Sequence, residues 1–366
     1  MPKSDPTNEH ALDVLGAILL SSTAAGSRDR YKGAIDHVCS LPIRQIDSLL
    51  EQALRQRVLR RTLEELEPHF MTARPDALSS LQANLEAERE RSKNLIAMLD
   101  RIVCAFQRRG YPILVMKTLD HWPDTGSDVD LLAAGDDDEI SAVLESDFAA
   151  VRQSQSWGDR LAHKLNFRLP GLGELLEIHV GCLGQTGEQE TLAQGALARQ
   201  LEKRFGDHVL PVPIQEDRII IATLQRMYRH FYIRLTDIVN IYRALAENAV
   251  NFEKLKDLST ASSVWPGVAT LLTIVCARGA GYGAAPLTLP EQIRTATKFH
   301  SDRTYVDGKF VRIPIMPEAA NLYLQQLADN GRNRNLRAVA RLTLLPFLAS
   351  SAFIAFRVTG NDKGIW

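Results

Sequence analysis

Apolar and polar residues repeat with a helical period over the first part of the chain, from about residue 9 to residue 109. Apolar side chains there recur three or four positions apart, which places them on one stripe of a helix. The clearest example is the series Ile46, Leu49, Leu50, Leu54, Val58 and Leu59. Pro75 is predicted to separate two helices, and the charge-rich residues 86–93 are interpreted as a solvated helix face.

The period changes in the middle of the chain. Residues 112–116 are a short apolar run between turn signals, which is typical of a buried strand. Residues 128–133 and 163–169 alternate between polar and apolar side chains, and residues 175–180 have the pattern of a further strand. A helix with acidic residues in its first turn is expected from about residue 136. These segments predict a small mixed sheet with at least one helix.

Helices are predicted again from about residue 188, with the strongest tract over residues 215–248 and a break near Tyr232. The glycine-rich residues 279–286 are interpreted as a loop, because they follow a helical pattern and not the strand that a dinucleotide-binding turn requires. We therefore expect an α+β fold, a small mixed β-sheet core flanked by two helical regions. The predicted boundaries are 1–109 for the N-terminal helical region, 110–213 for the core and 214–366 for the C-terminal helical region.

The charge and cysteine content bear on whether the protein binds nucleic acid and on the compartment in which it folds. The 366 residues include 43 Lys and Arg against 44 Asp and Glu, so no global positive field attracts nucleic acid. The basic clusters at 55–61 and 332–341 are too small for a phosphate tract. Four widely spaced cysteines form no C-x-x-C pair, which fits a reducing compartment better than a disulfide framework or zinc site. With an N-terminus that makes a poor signal peptide, this predicts a cytoplasmic protein.

An apolar segment near the C-terminus, residues 341–357, is interrupted by Pro346. It is shorter than the ~20 residues that a membrane-spanning helix needs. We expect a buried helix or a contact between copies in a homo-oligomer. The arginines just upstream leave weak binding to a membrane surface as an alternative.

Candidate chemistry begins at two carboxylates near the start of the second predicted strand. Asp128 and Asp130 are two positions apart in an extended segment, so their side chains share a face. Like charges at that separation repel unless a cation or a proton intervenes. In the alternative interpretation, Asp128 only caps a turn that leads into the strand. Glu177 shares a face of the strand at 175–180 with His179. If the two strands are neighbours, the three acids can hold one or two hard cations, Mg²⁺ before Mn²⁺.

The order of these elements resembles the DNA polymerase β-like nucleotidyltransferase superfamily. It is more closely similar to the bacterial family usually called "uncharacterised nucleotidyltransferase", over roughly residues 45–245. The resemblance is carried by four segments in order, namely "ILVMKT" at 113–118, "SDVDLL" at 127–132, "LEIHV" at 176–180 and "IRLTDIVNIYRAL" at 233–245.

This resemblance implies an enzyme that transfers a nucleoside monophosphate from an NTP, with ATP the first candidate, to a hydroxyl-bearing acceptor and releases pyrophosphate. Asp128, Asp130 and Glu177 would be its catalytic residues and metal ligands. Two departures from the family pattern stand out. Thr118 replaces the glycine that lets a backbone turn approach the triphosphate. Glu177 replaces an aspartate and reaches one methylene further.

Further residues are candidates for binding the nucleotide, each with a structural alternative. The set is Lys117, Thr118, Ser127, Lys164, Arg168 and His179. The alternatives are a surface lysine at Lys117, a turn cap at Ser127, a solvated hairpin face for Lys164 and Arg168, and a structural role for His179. Arg234 and Asp237 pair on a helix surface or face the cleft.

Two other functional classes remain open from the sequence. One is a degenerate nucleotidyltransferase fold that binds nucleotide or a protein partner without turnover, which Thr118 favours and the three acids oppose. The other is a scaffold that acts through its helical flanks.

Overall fold

The computed structural model describes residues 6–21, 27–307, 309–347 and 351. The N-terminal region consists of helices, as the apolar period predicts. Their bounds are α1 Pro6–Ser21, α2 Arg28–Ser40, α3 Ile43–Arg55, α4 Leu59–Ala73 and α5 Pro75–Arg108. Pro75 is the first residue of α5, where its fixed φ and missing N–H are tolerated.

The middle of the chain forms the predicted small mixed sheet. Its elements are β1 Ile113–Val115, β2 Asp128–Ala133, α6 Asp137–Phe148, β3 Val151–Arg152, α7 Trp157–Leu161, β4 Lys164–Arg168 and β5 Leu175–Val180. The strands lie in the order β1-β2-β5-β4-β3. Strands β2 and β5 run parallel, and the other pairs are antiparallel. The expected α+β fold class is confirmed.

Strand alternation divides the side chains of the sheet between two hydrophobic cores. Val129 and Leu131 of β2, with Leu176 and Ile178 of β5, pack with the second half of α5. Leu132, on the opposite face, belongs to the core that also contains helices of both flanking regions. The acidic face of the sheet is therefore directed toward the helical body and away from α5.

The chain continues with helices, short strands and a second, smaller sheet. The elements are α8 Glu190–Ala198, β6 Leu201–Phe205, β7 His208–Val212, α9 Gln215–Gln225, β8 Tyr232–Ile233, α10 Leu235–Ala246, α11 Phe252–Ala261, α12 Trp265–Gly281, α13 Glu291–Ala296, β9 Tyr305–Asp307, β10 Phe310–Arg312, α14 Ala320–Arg332 and α15 Leu336–Leu342. Strands β6 and β7 pair with each other, and the smaller sheet has the order β8-β10-β9.

Two sequence interpretations of this region were wrong in part. The predicted helical stretch after residue 188 contains the hairpin β6–β7, whose tight turn at Gly206 and Asp207 was a readable hairpin signal. The glycine-rich residues 279–286 are not a loop throughout, since α12 continues to Gly281. The predicted break near Tyr232 is confirmed, because a π-helical turn over Arg226–His230 ends α9 there.

Two of the C-terminal arginines bind other parts of the chain. Arg337 pairs with Glu190 at 2.8 Å, and the Arg341 guanidinium donates to the Gly187 carbonyl. Most of the apolar segment 341–357 lies outside the described residues, so its predicted contact with a membrane or another copy stays a prediction. Within the described ranges, every helix is too short or too polar to cross a bilayer.

Candidate active site

The parallel pairing of β2 and β5 brings the predicted acids together. Asp130 lies directly opposite Glu177, and His179 follows two positions later on the same face. Ligand atoms of Asp130, Glu177 and His179 all lie within 4.8 Å of one another. The Asp128 carboxylate is not part of this trio, although it lines the same cavity. The strand pattern therefore placed Asp130 and Glu177 correctly, and the structure adds His179 to them.

Two buried lysines neutralise the carboxylates of the trio. Lys117 Nζ lies 2.6 Å from Asp130 Oδ1 and 3.3 Å from His179 Nε2. Lys164 Nζ lies 2.7 Å from Glu177 Oε2. Lys117 and Lys164 are thus internal counterions, and the sequence alternative of a surface or solvated lysine is wrong for both.

Burial and charge set the protonation of the site. Burial alone would raise the pKa of the Asp130 carboxyl, but the Lys117 ammonium, a hydrogen bond from His179 and the Lys164 ammonium together outweigh it and hold that pKa well below its ordinary value. Burial lowers the pKa of Lys117, which Asp130 partly restores. Burial, and then the two lysines, lower the pKa of His179 well below its usual value. The imidazole is therefore neutral at pH 7 and retains a lone pair for a ligand.

A γ-turn aims the Lys117 side chain at the acids. The Thr118 N–H donates to the Met116 carbonyl across Lys117, whose φ of 57° and ψ of −54° belong to the rare, strained form of this turn. Lys117 thus adopts positive φ, a region that favours glycine. The strain is located at the candidate site, where such backbone is often kept for its effect on a side chain.

This strain predicts that two substitutions of Lys117 differ in their effect on the free energy of unfolding. Lys117→Gly and Lys117→Ala both delete the ammonium, but only glycine relaxes the positive φ. We expect the glycine variant to be more stable than the alanine variant by about 1 kcal/mol. Equilibrium urea unfolding of the two proteins measures this difference. An alanine variant as stable as the glycine variant would show that the turn relaxes at no cost.

The Thr118 side chain is committed to the protein. Its Oγ1 accepts a hydrogen bond from the Asp130 N–H at 2.8 Å, and the residue is 3% exposed. The hydroxyl thereby fixes the start of the acid-bearing strand. A glycine at this position would leave that N–H free to approach a ligand, so Thr118 closes part of the backbone cradle that the family resemblance implied.

Two arginines of the N-terminal region, Arg57 in the turn between α3 and α4 and Arg91 on α5, hold the loop that precedes β2. Arg57 donates to Ser127 Oγ at 2.7 Å, and Ser127 in turn donates to Asp128 Oδ2 at 3.0 Å. The Arg91 guanidinium donates to the Gly126 carbonyl and forms an ion pair with Glu174 at 2.7 Å. Part of the charge-rich segment 86–93 therefore contacts this loop, which corrects its interpretation as a solvated face.

The three alternating polar residues of β4 have different roles. Lys164 reaches Glu177, while Asn166 is buried and donates to Asp159 at 3.2 Å. Arg168 is exposed at the end of the strand and donates to the Gly173 carbonyl at 3.2 Å. The structure does not bring Arg168 into the cavity, because it lies four positions further along the extended strand than Lys164, the residue of β4 that lines the cavity.

A cavity of about 280 Å³ contains the acids and is rich in basic groups. The three acids Asp128, Asp130 and Glu177 contribute one part of the lining together with the two lysines, and the segment 226–234 contributes another. The cationic residues among its lining are Arg57, Lys117, Lys164, Arg226, Arg229 and Arg234. The sequence missed the arginines, apart from Arg234, because they come from a helix end and a π-helical turn that no short motif marks.

Arg234 and Asp237 do not form a side-chain pair on the helix surface, which was one of the two interpretations of the sequence. Asp237 is 6% exposed and forms an ion pair with Arg226 at 2.7 Å, while also accepting from the Arg234 N–H at 2.8 Å. The Arg234 guanidinium donates to the Tyr232 hydroxyl at 3.1 Å and lines the cavity. The cleft-facing alternative therefore describes Arg234, and Asp237 fixes the start of α10.

The donor set suits a divalent cation. Two carboxylates and a neutral imidazole are ligands that Mn²⁺ accepts readily and Mg²⁺ accepts in part. Two buried atoms of this region, His179 Nδ1 and Asn166 Oδ1, have no hydrogen-bond partner within the described ranges. An ion at the trio would take carboxylate oxygens that Lys117 and Lys164 now contact, so the lysines would have to turn to another anion.

A family model described as "Uncharacterised nucleotidyltransferase" matches residues 43–275. The chain is also similar to the crystal structure of an antigenic nucleotidyltransferase-like protein from Paracoccidioides brasiliensis, with 18% identity, a TM-score of 0.31, and coverage of 49% of this chain and 92% of that chain. A search of curated proteins gave no match. Because the family model covers more than half of its residues, the chain belongs to the uncharacterised nucleotidyltransferase family.

Proposed function

We propose that the protein transfers a nucleoside monophosphate from an NTP, with ATP the first candidate, to a hydroxyl-bearing acceptor. The observation that carries the proposal is the placement of Asp130 opposite Glu177 on paired strands that face an arginine-lined cavity, with a ligand atom of His179 within 4.8 Å of both carboxylates. Membership of the nucleotidyltransferase family supports the same class of reaction.

In this proposal Asp130, Glu177 and His179 hold a divalent cation, Mg²⁺ or Mn²⁺, and Asp128 is the outer carboxylate for a second one. When bound, such cations neutralise charge on the phosphates and lower the pKa of the attacking hydroxyl. Ser127 fixes the Asp128 carboxylate by a hydrogen bond, so that this group is oriented before substrate arrives.

The lysines exchange one anion for another in this reaction. Lys117 and Lys164 each donate to a carboxylate in the free protein. When substrate occupies the cavity, each ammonium can donate to a phosphoryl oxygen instead. The acceptor oxygen then bonds to the α-phosphorus, the bond to the leaving phosphate breaks, and pyrophosphate departs. The proton of the acceptor hydroxyl passes to a carboxylate of the site or to water.

Pyrophosphate release tests the proposal. The purified protein is incubated with ATP, GTP, CTP or UTP and Mg²⁺ or Mn²⁺, with small-molecule and protein hydroxyl acceptors supplied, and a parallel sample contains EDTA. Release that requires the metal and is accompanied by labelled acceptor supports transfer. The absence of pyrophosphate release from all four nucleotides would reject the proposed transfer reaction.

Two features of the site favour a second function. The carboxylates of Asp130 and Glu177 are already neutralised by Lys117 and Lys164, and Thr118 occupies the turn where the family has glycine. These features suit a protein that binds nucleotide without turnover. Calorimetry with the four nucleotides separates the two functions, because binding without pyrophosphate release supports only the second.

A further inference from the structure

The cavity contains a group of arginines that its acids do not neutralise. Arg226 is paired with Asp237, and the two lysines are paired with Asp130 and Glu177. In the part of the chain that the structure describes, Arg57, Arg229 and Arg234 have no carboxylate within ion-pair distance. Three guanidinium groups thus share the cavity with one uncommitted carboxylate, that of Asp128.

These positive charges are close enough to oppose one another. Burial, and then repulsion from Arg234, lower the pKa of Arg57 to about 10. Burial and neighbouring arginines lower the pKa of His121 and His230 well below the usual value, so both rings are neutral. Crowded cations of this kind destabilise the folded protein when the cavity holds no anion. A polyanion would remove that cost on binding.

An aromatic ring positions part of the group before any ligand arrives. The Tyr232 ring lies 5.5 Å from the guanidinium carbons of Arg226, Arg234 and Arg312. Phe310 stacks on the same ring with centroids 4.5 Å apart. Arg57 is held by its bond to Ser127. Groups fixed in this way lose little conformational entropy on binding, and guanidinium forks match phosphate oxygens.

The geometry points to Arg57, Arg229 and Arg234 as the binding site for a polyphosphate chain, the triphosphate tail of the nucleotide. This assignment rests on the proposed function and adds to it three arginines, of which only Arg234 belongs to a sequence motif. In this arrangement arginine side chains take over phosphate contacts that a glycine turn supplies through its backbone, and which Thr118 closes here.

Inorganic tripolyphosphate is the probe, because it has the chain of phosphates and lacks a base, a sugar and a reactive ester. Its affinity is measured by calorimetry for the wild type, Arg229→Gln, Arg234→Gln and the double variant, without metal. Each single change is expected to weaken binding roughly 10- to 100-fold, since a charge-assisted hydrogen bond is lost. Arg101→Gln, an exposed arginine on α5 with the same change in charge, is the control and should bind like the wild type.

Stability distinguishes a binding role from a structural one. In buffer without polyanions, Arg229→Gln should melt no lower than the wild type, because repulsion between the cations is relieved. Arg234→Gln also loses the contacts of Arg234 with Tyr232, so its melting temperature does not enter this comparison. Tripolyphosphate should raise the melting temperature of the wild type and of Arg101→Gln, and leave the double variant unchanged. Equal affinities in the wild type and the double variant would overturn the assignment, as would a lower melting temperature of Arg229→Gln in polyanion-free buffer.

Competition between ATP and tripolyphosphate shows which substrate carries the phosphates that the arginines bind. If the arginines bind the tail of the nucleotide, ATP and tripolyphosphate exclude each other at one site. If tripolyphosphate still binds beside saturating ATP, the arginines serve a phosphate-bearing acceptor and the assignment to the nucleotide is wrong. Arginine-dependent tripolyphosphate binding in a protein that releases no pyrophosphate would leave the binding site intact and reject only the transfer reaction.

Discussion

Asp130→Asn is expected to lower the rate of metal-dependent pyrophosphate release by roughly 10³-fold, because asparagine offers a cation one neutral oxygen in place of a carboxylate. The change conserves the shape of the side chain. Lys117 Nζ now donates a hydrogen bond to Asp130 Oδ1 at 2.6 Å, and the amide oxygen of asparagine can still accept it. Loss of activity would therefore report loss of charge at the trio more than loss of fold. Steady-state rates at saturating Mg²⁺, with Mn²⁺ binding followed by electron paramagnetic resonance, measure both consequences.

A matched substitution controls for a general effect of removing an acid. Asp147→Asn breaks the pair with Arg109 at the end of α6, outside the cavity lining, and should leave the rate unchanged. Asp128→Asn is expected to have an intermediate effect, since Asp128 lines the cavity without belonging to the trio. An Asp130→Asn protein that keeps the wild-type rate would remove this carboxylate from the mechanism.

Arg61→Met is expected to lower the free energy of unfolding by about 3–5 kcal/mol, because it leaves a buried carboxylate without its partner. Arg61 is 6% exposed and lies 2.6 Å from Asp124, which is 3% exposed. Its other nitrogens donate to Asn240 and Thr236 of α10 at 2.8 and 2.9 Å. One side chain therefore joins α4, the loop before the acids and the C-terminal helices.

Equilibrium urea unfolding measures this loss. Arg55→Met is the control, because Arg55 forms an ion pair with Glu51 at a similar distance of 2.9 Å but is 55% exposed. Such a surface pair is worth about 0.5 kcal/mol or less. The double variant Arg61→Met/Asp124→Leu should recover part of the stability, since it removes both charges. A cost for Arg61→Met equal to that of the control would contradict the central role of this arginine.

The sequence predicted what depends on short spacing. Period-two alternation placed Asp128 with Asp130 and Glu177 with His179, and the resemblance to a family supplied the pairing of the strands that bear them. The pattern could not separate the two aspartates, because a shift of two positions in the parallel register decides which carboxylate lies opposite Glu177. It also could not decide between a surface lysine and an internal counterion at Lys117.

The positions of Arg57 and Arg61 could not be predicted from the sequence. Arg57 reaches Ser127 across 70 positions, and Arg61 reaches Asn240 across 179. In the sequence both residues belong to a modest basic cluster at 55–61, which gave no reason to assign them to a site. Only the packing of α4 against α10 and the loop before β2 turns part of that cluster inward. Side-chain contacts between distant segments carry no local period, so composition and spacing do not reveal them.

Helix α5 contributes to both hydrophobic cores along its 34 residues. Ala77, Leu81 and Leu85 of its first half pack into the core shared by the flanking helices, while Leu95 to Phe106 pack against the sheet. A continuous helix resists bending between its ends. One helix therefore ties the two cores together, and we expect substrate entry to depend more on movement of lysine and arginine side chains than on separation of the two cores.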